Sequence, residues 1–212
     1  MSLNKATIWA MIGVSYIFVS RTVGTFFPAV FRNPAAAKIA VILSLLASIT
    51  VLVFYVSFYQ AYVQKGQKLL KNTSLVVIIG SLAVVLSYLK GLLLIYDVHI
   101  FPYPESSRYF ESIIPWISAV FFMLFFIVFY RETLHKVGKS LSGAALLAII
   151  GSSIATLLRT FVLLNYIYSR QFMWFSDLFR EKPAIFLLIS AFLFFTVFYF
   201  FLSFYQEQKE GA

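Results

Sequence analysis

The chain contains no cysteine, which rules out disulfides, thiolate metal sites and a cysteine nucleophile. Charge is nearly as scarce. Asp, Glu, Lys and Arg make up 12% of the 212 residues, against about 25% in a soluble globular protein. Histidine occurs only as His99 and His135. These fall at opposite ends of two apolar stretches, a membrane thickness apart, so they cannot jointly ligate a haem or a metal ion. Both read as interfacial residues. None of the eight carboxylates lies well inside an apolar stretch, where proton- or cation-coupled carriers usually place one. No Gly-x-Ser-x-Gly elbow, glycine-rich phosphate loop or His-Glu-x-x-His is present, and nothing suggests a paired-carboxylate acid/base site. The expectation is a protein without metal, cofactor or covalent chemistry.

What is abundant is apolar surface: 61% of residues are hydrophobic and 19% aromatic. Six stretches, near residues 7–30, 38–61, 74–96, 113–131, 142–166 and 184–205, have the roughly 20-residue length that a helix needs to cross the hydrocarbon core. The predicted fold is all-α: one polytopic membrane domain over residues 1–212, with six transmembrane helices. The first stretch is too long, and too polar at its end, for a cleavable signal peptide, and reads as a retained span. Pro34, Pro115 and Pro183 each suit the first turn of the helix that follows. Of the loops between spans, Asp97 to Pro115 and Ser169 to Pro183 are the most irregular. The second is aromatic enough to lie in the membrane interface, and Ser176 could cap a short helix there.

Six crossings put both termini on one side. Lys65, Lys68 and Lys71, then Arg131, Lys136 and Lys139, make the two short connections on that side densely basic. The positive-inside rule therefore predicts cytoplasmic termini, in a plasma or inner membrane. The net charge of +9 comes from basic residues scattered singly at helix ends. That pattern fits anionic headgroups of the bilayer as partner, and not nucleic acid.

The sequence also echoes itself. Helices two and three match helices four and five without gaps at an offset of 71 residues, which sets Phe58-Tyr59 on Phe129-Tyr130 and Ile78-Ile79-Gly80-Ser81 on Ile149-Ile150-Gly151-Ser152. Phe204-Tyr205-Gln206 near the end of the sixth helix echoes Phe58-Tyr59-Gln60. Three pseudo-repeated hairpins are expected, with the aromatic pairs as an interfacial belt. The odd helices carry Gly, Ala, Ser and Thr, and small residues let membrane helices approach closely. They are expected at the centre, with the aromatic even helices as a lipid-facing jacket.

Two arginines are the sharpest functional signal. Ala10-Met11-Ile12-Gly13-Val14-Ser15, five residues, then Arg21-Thr22 recurs as Ala148-Ile149-Ile150-Gly151-Ser152-Ser153, five residues, Arg159-Thr160. A guanidinium within an apolar helix is expensive and usually has a function. Ala6, Ala10, Gly13, Ile17 and Arg21 fall on one stripe, and Ala144, Ala148, Gly151, Ala155 and Arg159 on its counterpart, so both arginines are expected to face inward. Lys90 shares their depth, yet the Ile-Ile-Gly-Ser anchor sets Tyr88 opposite Arg159. Asn165 and Tyr166 could join them around a polar cavity. Such a group could bind a phosphate, a carboxylate or a lipid headgroup. Snorkelling to the headgroups, or pairing with Asp97, Asp177 or Glu181, would also account for the charges.

Three functions follow. The first is binding or moving an anionic or amphipathic molecule or lipid from the outer leaflet side, at Arg21, Arg159, Lys90, Asn165, Tyr88 and Tyr166. The second is an accessory or assembly subunit of a larger membrane complex, packed against a partner. The third is an enzyme on lipid headgroups that uses Asp97, Glu105, Glu111 or Asp177. The first is favoured, because inward arginines at matched depth need a reason.

Overall fold

The computed structural model describes residues 2–64, 68–96, 104–134, 138–168 and 182–210. Six helices account for nearly all of them: α1 Leu3–Phe26, α2 Pro34–Gln64, α3 Lys68–Ile95, α4 Pro104–Thr133, α5 Lys139–Ile167 and α6 Pro183–Glu210. Each contains a span long and apolar enough to cross a bilayer. The chain is an all-α integral membrane protein with six transmembrane helices. The loop features around His99, His135, Asp97, Ser176 and Asp177 lie outside the described residues, as do the side chains of Glu105 and Glu111.

Most helices overrun the apolar stretches that define them, because backbone hydrogen bonding continues into polar flanks. The first helix instead stops early. Phe27 N–H donates to Val23 O at 2.8 Å, and Pro28 opens a 3-10 turn, Pro28–Arg32, in place of further helix. Asn33 Oδ1 then accepts from the Ala35 N–H at 2.9 Å, occupying one of the donors left open at the start of α2. Pro34 and Pro183 open their helices as expected, but Pro115 sits inside α4. The helix begins at Pro104, so Pro115 forfeits one interior hydrogen bond, which normally bends or weakens a helix.

Each helix packs on its two sequence neighbours, and α6 returns to α1. Among the described residues no two helix backbones meet across this closed ring. The space at the axis must therefore be filled by side chains.

That requirement overturns the expected arrangement of odd and even helices. In the half nearer the termini the axis is filled by rings from the even helices: Phe54, Tyr55 and Phe58 on α2, Phe125, Phe126 and Phe129 on α4, and Phe200, Phe201 and Phe204 on α6, all at most 2% exposed. The contacts run cyclically. Phe125 meets Tyr55 and Phe58 at centroid distances of 5.1 and 5.3 Å. Phe200 meets Phe126 and Phe129 at 4.9 and 5.1 Å. Phe54 meets Phe201 and Phe204 at 4.7 and 5.7 Å. All six pairs are edge-on, with interplanar angles from 76° to 86°, the arrangement that the ring quadrupole favours. The even helices are thus no lipid-facing jacket, since only large rings can bridge a gap too wide for backbone contact.

The expected aromatic belt is corrected in the same way. In Phe58-Tyr59, Phe129-Tyr130 and Phe204-Tyr205 the phenylalanine is buried at the axis and the tyrosine is partly exposed. Adjacent residues lie about 100° apart around a helix, so only one of each pair can point inward.

Small residues on the odd helices set the spacing within each hairpin. A side chain at Gly13 would meet Thr50 and the Ala47 carbonyl of α2, one at Gly80 would meet Phe121 and Ser118 of α4, and one at Gly151 would meet Thr196 of α6. Ser118 Oγ lies 2.9 Å from the Gly80 carbonyl and adds a polar link to the second contact. Between hairpins, Trp116 Nε1 donates to Thr160 Oγ1 at 2.9 Å, tying α4 to α5. Trp116→Phe is expected to cost about 0.6 kcal/mol, typical of hydrogen bonds between membrane helices. Reversible unfolding in mixed micelles would measure it. Large apolar side chains face outward, as Ile79, Leu157, Leu188 and Phe195 illustrate, each more than half exposed.

Candidate functional site

Beyond the aromatic junction, towards the end away from the termini, the ring encloses a cavity of about 390 Å³ to which all six helices contribute. That is within the range of about 300–1,000 Å³ usual for small-molecule pockets. Tyr55, Phe126 and Phe201 from the junction form its floor, and Arg21 and Arg159 stand towards its other end. Arg21 is exposed, whereas Arg159 is only partly so.

The odd helices line it in a common register. Val14, Ser81 and Ser152 form the lowest level, Ile17, Val84 and Ala155 the next, and Arg21, Tyr88 and Arg159 the uppermost. The steps of three and then four residues keep each set on one helix face. Seven residues separate the lowest from the uppermost level on every odd helix, a rise of roughly 10 Å. The even helices supply a matching series: Ser48, Ala119 and Phe194, then Val51, Phe122 and Val197, then the floor residues. Phe18 and Phe194 stack at 4.6 Å, with 14° between their planes, and close the seam between α1 and α6 beside the cavity.

The uppermost level holds the charge. Arg159 is within electrostatic reach of both Arg21 and the Tyr88 phenol. Two guanidiniums facing one cavity repel each other, a cost that an anion between them would reverse. A phenol at the third position can donate or accept a hydrogen bond.

Below this level the wall carries hydroxyls. Ser48 Oγ donates to Leu45 O at 2.8 Å, Ser152 Oγ to Ile149 O at 3.0 Å and Ser87 Oγ to Ala83 O at 3.1 Å. Ser81 differs: it is 2% exposed, and its Oγ has no hydrogen-bond partner. A buried hydroxyl in that condition is costly.

Of the six residues singled out from the sequence, Arg21, Tyr88 and Arg159 come together at the cavity. Lys90 is buried, at 7% exposure, but does not line it. Asn165 does not line it either, and its Oδ1 is buried without a hydrogen-bond partner. Tyr166 falls in the last turn of α5, with its side chain outside the described residues. Sequence reasoning missed the serines and the floor residues. The signal was available, since Ser81 and Ser152 follow the two aligned Ile-Ile-Gly anchors. Among the described residues no cluster of three His, Asp or Glu side chains could hold a metal ion. Set against protein-family models, curated proteins and solved structures, the chain matches none.

Proposed function

We propose that this membrane protein binds a small anionic or amphipathic molecule in the central cavity, as a transporter, channel-like protein or lipid-handling factor. The observation that carries the reading is that Arg21 and Arg159, far apart in sequence, line one cavity at matching levels with Tyr88 as the third member. Guanidiniums give a two-pronged grip on carboxylate or phosphate, and the apolar wall beneath suits the rest of an amphiphile. With the termini in the cytoplasm of a plasma or inner membrane, as the basic connections indicate, the arginines lie in the outer half of the bilayer. Lys90 and Asn165 are not among the residues lining this cavity. The closed ring with an internal cavity favours a self-contained binding protein over an accessory subunit.

The same register supports an origin in three repeated hairpins. Equivalent positions on the three units supply the cyclic aromatic contacts, the close-packed glycines and the levels of the cavity wall.

Hexyl phosphate is a suitable probe, with hexyltrimethylammonium as its cationic control, and native mass spectrometry in a non-ionic detergent gives the readout. The double substitution Arg21→Gln and Arg159→Gln is expected to weaken hexyl phosphate binding at least tenfold and leave the cationic amphiphile unaffected. Equal binding of hexyl phosphate by wild type and double variant, at unchanged melting temperature, would overturn the proposal.

A further inference from the structure

Between the arginines and the floor the cavity wall is mostly apolar. Val14, Ile17 and Val84 line it from the odd helices, and Val51, Phe122 and Val197 from the even ones. The serines at these levels alter this little. Ser48, Ser118 and Ser152 donate their hydroxyl protons to helix carbonyls, and Ser81 is 2% exposed.

The depth of this space follows from the close-packed glycines. Gly13 faces Thr50, Gly80 faces Phe121 and Gly151 faces Thr196, which sets one common level in all three hairpins. Arg21, Tyr88 and Arg159 stand eight residues above that level, and Tyr55, Phe126 and Phe201 five residues below it. The two together amount to a helix rise of roughly 20 Å. Side chains tilt towards the start of their own helix, so the arginines lean down into the space and the floor rings lean up.

We infer that the site takes a single-chain anionic amphiphile, head between the guanidiniums and alkyl chain pointing down, and that Tyr55, Phe126 and Phe201 limit the length of the chain. The inference rests on the arginine site proposed above and specifies what fills the space beneath it. A volume of about 390 Å³ takes about thirteen non-hydrogen atoms, counted at the liquid share of a water, roughly 30 Å³ each. Octyl phosphate has that many, and a second chain has no room. Hydrocarbon gains no transfer energy by leaving the bilayer, so the chain contributes through close contact with the wall and the floor rings, which depends on fit. A chain too long for the floor must buckle or lift its head off the arginines.

Butyl, octyl and dodecyl phosphate and the two-chained dioctyl phosphate test this, read by native mass spectrometry in one non-ionic detergent. Each probe partitions into the micelle equally whichever variant is present, so affinity ratios between variants report the cavity alone. Ala119 lines the cavity seven residues above Phe126, roughly 10 Å over the floor, so Ala119→Leu obstructs the lower part. It is expected to weaken octyl phosphate at least fivefold and to change butyl phosphate less than twofold. Phe126→Ala lowers the floor and should strengthen dodecyl phosphate at least fivefold, again sparing butyl phosphate. Dioctyl phosphate should respond to neither. Ala119→Leu grows into open space and keeps the test intact should Phe126→Ala fail to fold.

Equal ratios at every chain length in Ala119→Leu, at unchanged melting temperature, would overturn the inference while the arginine site stands. Dioctyl phosphate weakened as strongly as octyl phosphate would overturn it too, by putting a two-chained lipid in the cavity. A chain-length response that persists with Arg21→Gln and Arg159→Gln, at undiminished affinity for octyl phosphate, would uphold the chain pocket and remove the arginines as its head-group site.

Discussion

Alanine at Phe54, Phe125 or Phe200 is expected to lower the unfolding free energy by about 3 kcal/mol at each position, the low end of the range for Phe→Ala in a core. The low end applies because separated helices remain in lipid, so little hydrophobic transfer is lost. What is lost is contact. Each ring is fully buried and meets two rings of another even helix edge-on. Since helix backbones do not meet across the ring, no neighbouring chain can settle into the space left behind. The three substitutions occupy equivalent positions, so their costs should agree within about 1 kcal/mol, the usual spread of such values. Together they would remove about 9 kcal/mol, comparable with the whole stability of a typical domain. The triple variant should yield no folded protein. Phe195→Ala, on the lipid-facing surface at 55% exposure, should change little. Equilibrium unfolding in mixed micelles measures the three single variants and Phe195→Ala, and the yield of monodisperse protein on purification tests the triple variant. Single costs below about 1 kcal/mol would mean that the aromatic junction does not hold the bundle together.

Gly13→Ala and Gly151→Ala are expected to cost about 2–3 kcal/mol each, in the upper part of the overpacking range. At Gly13 the new Cβ would stand 2.6 Å from the Ala47 carbonyl oxygen and would also strike the Thr50 hydroxyl. A carbonyl in the middle of α2 moves only with its helix, so the hairpin must open. At Gly151 the obstacle is Thr196, whose Cβ would lie at 3.0 Å. Nothing lies within 4 Å of a Cβ at Gly91 or Gly143, so alanine there should leave stability nearly unchanged. The same unfolding experiment compares the four variants. Equal effects at all four would show that the close approach of α1 to α2 and of α5 to α6 contributes nothing.

How much could be read from the chain alone depended on what each residue had to reveal. Length and apolarity disclosed six spans, because a helix crossing hydrocarbon must satisfy its own backbone over about 20 residues. The repeated pattern ending in Arg21 and Arg159 disclosed the upper level of the cavity, and the Ile-Ile-Gly-Ser register brought in Tyr88. Lys90 shares the depth of the arginines but lies two residues beyond Tyr88, about 200° away around the helix, and does not line the cavity. The fate of the phenylalanines was not legible. Phe54 and Phe195 belong to equally apolar helices, yet one is buried on the axis and the other faces lipid. In water a hydrophobic face declares which way it turns, but a helix apolar on every side gives no such sign. Pro115 was misplaced for a related reason, since the polar first turns of α4 did not resemble part of a span.

The return of the last helix to the first means that the order of connection is separable from the order of contact. A chain joined between the present termini and cut instead in either link between hairpins would preserve every neighbour each helix now has. Linkage in this molecule is a convenience of synthesis, and the circle itself has no privileged starting point.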